Sequence, residues 1–464
     1  MPRTAALVCI AVFVIAVAEA AAAQESSGLP APRSPGQALD TQPRADLEAP
    51  PPAAAVSEEP AGAITLSTAL AAALLRSPEL SAFSWRARAS EAEIIQAGLL
   101  PNPEVRADVE DIGASGQFAG IDQAQTTLRL SQLIELGGKR MARVRDASLT
   151  SALAGWDYEA RRLDVFTATA QAFTEVLAQQ QRLELAEEVE RLAEEVVGTA
   201  RQRIDAGSSP RTELTKAEIA LAGARIEREQ AARALNAARQ RLAATWGARE
   251  PRFTRAEGNL ENVRAVPPLV ELRTRLEQNP DLARWATEIA QRDATVALEK
   301  SRAIPDVTVT AGYRRLFGPD ENTFVADVLV PLPVFNRNQG AILAAQRRLS
   351  EAQDQQLAAG VRLSADLTDA YEALAAAYGQ IGALRNAVLP SAKEAFDTVR
   401  EGYREGRFSY LDVLDAQRTL VASRGQYVRA LADYHQSTVT VERLIGEPIT
   451  ATFVGNLQPE GNAK

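Results

Sequence analysis

Four short segments of this chain alternate apolar and polar residues with period two. Val105, Ala107 and Val109 alternate with Glu104, Arg106, Asp108 and Glu110, and Leu128 and Leu130 alternate with Thr127, Arg129 and Ser131. Val307, Val309, Ala311 and Tyr313 alternate with Asp306, Thr308, Thr310 and Gly312. Phe324, Ala326, Val328 and Val330 form a further apolar row, whose reverse mixes Val325 and Leu329 with Asp327. Such alternation predicts strands with one apolar and one polar face. The links within the two pairs are Gly-containing, Ile112-Gly113-Ala114-Ser115-Gly116 and Leu316-Phe317-Gly318-Pro319-Asp320.

Elsewhere the apolar positions recur at steps of three and four. A helix is predicted over 139–205, with Leu153, Trp156, Ala160, Leu163, Phe166, Ala170, Phe173 and Leu177 along it and no internal proline. At ~1.5 Å per residue it spans about 100 Å. Its counterpart over 338–405 carries Leu367, Tyr371, Leu374, Tyr378, Ile381 and Leu384, and Pro390 predicts a kink or local break near Val388. Both stripes read as coiled-coil seams. Each long helix ends at a turn, Gly207-Ser208-Ser209-Pro210 or Gly406-Arg407-Phe408-Ser409, followed by return helices over 211–247 and 410–446. Opening helices are predicted over 66–98 and 267–301. Two connectors, 248–266 and 447–464, are expected to pack around the middle of the helical body.

The pattern is duplicated. Ser77-Pro78-Glu79-Leu80 answers Asn279-Pro280-Asp281-Leu282, and Pro103 answers Pro305, each pair 202 residues apart. Gly207 answers Gly406, and Trp246-Gly247 answers Ile445-Gly446, each 199 apart. The folded part is therefore two halves of one architecture, 64–265 and 266–449, with a tail over 450–464. A period this long is not that of a solenoid.

Composition adds an address. Residues 1–23 read as a secretory signal: Arg3, the apolar stretch Ala5–Val17, and Ala21-Ala22-Ala23 as a small-residue cleavage site. Residues 24–62, rich in Pro, Ala, Ser and Gln, read as a flexible leader. The single cysteine, Cys9, lies in the signal and follows Val8, which does not suit lipoprotein cleavage. A net charge of −9 argues against nucleic acid as a partner. No apolar run past the signal is long enough for a transmembrane helix, so membrane entry requires strands of a closed barrel. Four strands cannot close one, since membrane barrels start at about eight. A barrel therefore requires several chains to share it. The rival reading is a soluble periplasmic coiled-coil scaffold carrying two hairpins.

Candidate chemistry is sparse. His435 is the one histidine, and it reads as a packed or surface residue. Met141 is the one methionine after the signal, so a soft-metal ligand cluster is not expected, and neither is a bound cofactor. Gly137-Gly138-Lys139-Arg140 lacks the spacing of a phosphate-binding loop, and no nucleophile–histidine constellation is visible, so catalysis is not expected. At the second turn, Asp412 and Asp415 lie three apart on one face of a helix start. Ser409-x-x-Asp412 also reads as a capping box, which accounts for Asp412 better than for Asp415. The first turn has Glu213 but Lys216, so the acidic pair is not duplicated.

The order helix, strand, strand, long helix, turn, return helix, twice over, resembles the TolC-like outer-membrane factors. The resemblance covers nearly all of 64–449. Leu100-Pro101-Asn102-Pro103-Glu104, Glu110-Asp111-Ile112-Gly113-Ala114-Ser115-Gly116 and Gln132-Leu133-Ile134-Glu135-Leu136-Gly137-Gly138-Lys139-Arg140 sharpen it toward the CzcC-like, heavy-metal efflux branch. Leu133 stands where that branch usually has proline. The resemblance implies a mainly α fold with a small β part: duplicated long-helix hairpins forming a trimeric α-barrel, continuous with a twelve-stranded outer-membrane β-barrel. It implies a homotrimer in outer-membrane lipid, with a periplasmic adaptor and an RND-type inner-membrane pump as partners. The implied cargo is metal cations, with drugs or secreted polypeptides as the alternative. By the same resemblance, Asp412 and Asp415 form two stacked carboxylate rings at the periplasmic mouth, which favour cations. Gly207, Gly406, Arg407, Phe408 and Ser409 are then tip contacts, Phe408 replacing a basic residue.

Overall fold

The computed structural model describes residues 59–449 except 114, 117–119 and 208–209. The expected signal, nearly all of the leader, the tail over 450–464, and Ser208 and Ser209 of the first turn lie outside the described residues. The first half runs β1 (Gly62–Ile64), α1 (Leu66–Arg76), α2 (Pro78–Gly98), β2 (Glu104–Glu110), β3 (Gln125–Ile134), α3 (Lys139–Asp205) and α4 (Arg211–Ala244). After β4 (Phe253–Ala256) the second half runs α5 (Leu269–Arg275), α6 (Pro280–Arg302), β5 (Val307–Leu316), β6 (Glu321–Leu329), α7 (Gln339–Ala383), α8 (Leu389–Arg404) and α9 (Tyr410–Ile445).

Each expected opening helix is in fact broken in two. Ser77 and Asn279 are extended, with ψ of 117° and 130°. A following proline disfavours helical backbone at the residue before it. Both residues then cap the next helix: Ser77 Oγ accepts the Leu80 N–H at 3.4 Å, and Asn279 Oδ1 accepts the Asp281 N–H at 2.7 Å. In the second half a 3-10 turn, Leu276–Gln278, fills the break. The repeat landmarks meet in space at these breaks. Gly247, at φ 78°, lies so close to Pro78 that a Cβ would sit 2.7 Å from its ring, and Gly446, at φ 75°, abuts Asn279. Asn279 Nδ2 also donates to the carbonyls of Arg443 and Leu444 at 2.9 and 2.8 Å, tying α6 to the end of α9.

The first long helix has the expected bounds, 67 residues without interruption. The second is interrupted by a π turn, Leu384–Val388, just before Pro390. Proline lacks the N–H for its helical bond and its ring crowds the preceding turn. The Leu389 N–H instead reaches Leu384 O, five residues back.

The four alternating segments form one antiparallel sheet in the order β2-β3-β5-β6. The register aligns Val105, Leu130, Ala311 and Ala326 in one row, and Asp108, Thr127, Arg314 and Thr323 in another. Val330, placed in the fourth apolar row, lies just past the end of β6. β1 and β4 add a parallel pair, Gly62 opposite Phe253 and Ile64 opposite Ala256. The first connector packs here on the middle of α3, where Gln180 exchanges bonds of 2.9 and 3.1 Å with the Ala256 backbone. The main core lies around this point, with Phe173, Val176, Trp246 and Phe253 from the first half and its connector, and Leu272, Leu367, Leu374, Leu431 and Ile445 from the second. A smaller core, Val197, Ala217, Phe396, Tyr403, Tyr410 and Val413, lies at the hairpin turns.

Candidate functional site

Two regions gather the residues that the sequence singles out: the strand sheet and the hairpin turns. Along the two central strands the polar face is the buried one, while at the two edge strands both faces are exposed. On the polar face of these central strands Thr127 is 0% exposed and Thr310 6%, whereas on their apolar face Leu128 is 53% and Leu130 48% exposed. The polar face is cross-linked to itself. Arg314 Nε donates to Thr127 Oγ1 at 3.0 Å, the Ser131 and Thr310 hydroxyls are 3.0 Å apart, and Asp108 lies between Arg106 at 2.7 Å and Arg129 at 3.4 Å. An exposed apolar face with a hydrogen-bonded polar reverse is what a strand between lipid and a wet lumen requires. Val105, Val109, Val307 and Val309 share the apolar face and Thr308 the other, as the alternation predicts.

At the second turn, Gly406 takes φ 80° and Ser409 caps α9. The capping box is complete. Asp412 Oδ2 accepts the Ser409 N–H at 2.8 Å and the Ser409 hydroxyl at 2.7 Å, while the Asp412 N–H donates to Ser409 Oγ at 3.4 Å. These bonds, the hydroxyl's first, hold the Asp412 carboxyl below the usual range. Asp412 and Asp415 are both exposed, on the side of α9 away from the buried Tyr410, Val413, Gln417 and Leu420. Arg407 pairs with Glu405, and the Phe408 ring covers Gly402, where no Cβ would fit. At the first turn, Gly207 takes φ 70°.

Sequence reasoning missed a cluster behind this turn. Arg203 Nη1 donates to Tyr403 O at 2.9 Å and its guanidinium lies 4.6 Å over the Tyr403 ring. The Tyr403 hydroxyl and Glu213 Oε2 are buried with no hydrogen-bond partner among the described residues. Burial, then the Glu213 charge, raise the Tyr403 hydroxyl above its usual range; Arg203 opposes them. The only available signal was the spacing Tyr403-x6-Tyr410 around a turn.

His435 and Glu442 lie in the middle of the body. His435 Nε2 is 2.8 Å from Leu260 O, and burial lowers its pKa. Glu442 Oε1 accepts the Ile449 N–H at 3.0 Å, yet burial raises its carboxyl to about 7. Both line a cavity of about 270 Å³ with Asn262, Arg264, Tyr434 and Thr438. Among the described residues, no three His, Cys, Asp or Glu side chains are grouped to hold a metal. No helix among them is long and apolar enough to cross a membrane.

Comparison with known proteins points the same way. The outer membrane efflux protein family matches twice, over residues 69–248 and 272–447, one match per half. The chain is 36% identical to the cobalt-zinc-cadmium resistance protein CzcC of Cupriavidus metallidurans, over 84% of this chain and 91% of that protein. It is 29% identical to the nickel-cobalt-cadmium resistance protein NccC of Alcaligenes xylosoxydans xylosoxydans, over 64% and 67%. Among solved structures, CusC superposes with a TM-score of 0.71 at 18% identity, covering 82% of this chain and 92% of that one.

Proposed function

The chain belongs to the outer membrane efflux protein family, and on that premise we propose that it is the outer-membrane conduit of a tripartite system exporting heavy-metal cations. The conduit stands in the outer membrane, with its helices in the periplasm, and it is not an enzyme. Three copies share one barrel, docked through the helical turns to a periplasmic adaptor and an RND-type inner-membrane pump. The observation that carries the cargo is the 36% identity to a cobalt-zinc-cadmium resistance protein over nearly that protein's whole length. Cation specificity and energy then belong mostly to the partners, because the chain contributes a passage rather than a ligand cage.

The Asp412 and Asp415 carboxylates ring the periplasmic mouth of this conduit. Three copies of each bring like charge together at a narrow point, which favours cations and disfavours anions. Gly207, Gly406, Arg407, Phe408 and Ser409 form the surface that meets the adaptor.

Deleting the gene in its native host tests the cargo. Tolerance to cobalt, zinc and cadmium is expected to fall and to return with a plasmid copy, with drug tolerance unchanged. Unchanged metal tolerance with new drug sensitivity would instead assign the conduit to drug efflux. A secretion defect alone would assign it to polypeptide export.

A further inference from the structure

Strand pairing carries the polar face of the sheet across all four strands, so its charges fall into rows. Directly opposed residues share a face. Glu104, Ser131, Thr310 and Asp327 form one row, toward the helices. Arg106, Arg129, Gly312 and Val325 form the next, and Asp108, Thr127, Arg314 and Thr323 the one after. Glu110, Gln125, Leu316 and Glu321 form the last, beside the hairpin loops. The sign of the charge therefore changes along the strands. The two outer rows carry four carboxylates and no cation, whereas the two inner rows carry three arginines and one carboxylate.

Pairing within the sheet does not neutralise the inner rows. Arg106 and Arg129 stand directly opposite each other, a like-charge contact that is unfavourable unless something offsets it. Asp108 lies between them, but one carboxylate cannot balance two guanidiniums. It accepts Arg106 Nε at 2.7 Å. Arg129 Nε lies 3.4 Å from Asp108 Oδ2 without completing a hydrogen bond, and both of these atoms are buried. Arg314 donates Nε to Thr127 at 3.0 Å and lies 3.7 Å from Glu110. The Arg106 side chain is 75% exposed, and among the described residues only its Nε is bonded. A ladder serving stability alone would match each arginine with a carboxylate across the strands. Here most of the carboxylates stand at the strand ends instead.

We propose that Arg106, Arg129 and Arg314 form a positive belt on the lumen wall of the barrel, and that this belt binds small polyvalent inorganic anions. The proposal rests on the reading of the chain as a conduit whose copies share one barrel with the polar face inward. Each copy adds its arginines to the same wall. Low-dielectric surroundings focus the field of such like charges into the water between them. A guanidinium presents a planar fork of donors that matches the oxygens of phosphate or sulfate, and it stays charged at any working pH. Glu104 and Asp327 bound the belt toward the helices, and Glu110 and Glu321 bound it toward the hairpin loops. Cations drawn in at the turns therefore meet a stretch of opposite sign before they leave, and anions gather there as their counter-ions. The conduit sorts ions twice, by carboxylates at its helical end and by guanidiniums in the membrane.

Planar bilayers at low salt test the belt, because screening already shortens the reach of fixed charge to about 10 Å at 0.1 M ionic strength. Inorganic tripolyphosphate added on the barrel side is expected to block the wild-type current, and the block should weaken as salt rises. Exchanging Arg106, Arg129 and Arg314 together for Gln should raise the half-blocking concentration by about tenfold or more, since each removes a charge-assisted contact. Arg106→Gln alone changes the most exposed of the three side chains, should show part of this loss, and decides the matter if the triple variant does not assemble. Arg106→Lys keeps the charge and should keep the block. Block by multivalent cations from the helical side, assigned to Asp412 and Asp415, should persist in every one of these variants. A wild-type current insensitive to tripolyphosphate would overturn the belt. So would a block that the Gln variants leave unchanged. A reconstituted protein that opens no channel at all would overturn the conduit reading instead.

Discussion

The two tip aspartates differ in what their own helix asks of them. Asp412 completes a capping box with Ser409, whereas the Asp415 side chain caps nothing. Exchanging both for Ala is expected to weaken cation selectivity and block by multivalent cations in planar bilayers. Asp415→Ala alone should reproduce part of the effect, because capping does not account for that residue. Unchanged selectivity of an assembled double variant would return both residues to a purely helical role. Glu442 predicts a pH dependence of stability. Its folded pKa, about 7, lies above the ordinary value of 4.5, so the folded state holds the extra proton between these limits. Stability therefore falls as pH rises from about 4.5 through about 7, by on the order of 3 kcal/mol at most. Arg264 and His435 share the cavity, and a positive charge on either would lessen the loss. Glu442→Gln should flatten this part of the denaturation profile; an unchanged slope would place its origin elsewhere.

At the scale of elements, the two faces of β5 make opposite predictions for one substitution. Val307→Arg puts a charge on the lipid-facing row and should cost up to about 2–4 kcal/mol at mid-membrane, read as lost assembly. Thr308→Arg, on the opposite face, should assemble and change conductance. Equal assembly defects would contradict the register. The helices were legible to different depths. α3 has no proline and no strong stop before Gly207, so its ends were readable. The breaks at Ser77 and Asn279 were misread because apolar periodicity continues across them, although Pro78 and Pro280 mark both. β1 and β4, three and four residues long, are too short to show a period, and only their pairing makes them strands.

For the whole molecule, four strands with two free edges predict that detergent-extracted protein cross-links to trimers and no further. A monodisperse monomer would contradict a shared barrel. The sequence by itself determined the duplication, the strand alternation and the acidic turn, because each is written in neighbouring or regularly spaced residues. The capping box was likewise local, complete within Ser409–Asp412. Tertiary structure alone decided which distant groups meet. Arg203, Glu213 and Tyr403 form one cluster only because both hairpin turns lie at the same end. Tertiary burial also set the protonation of Glu442, since desolvation depends on what packs around a carboxyl and not on its neighbours in the chain. The exposure of the apolar sheet face was decided there too, for a period of two divides the residues into two faces without saying which of them meets lipid.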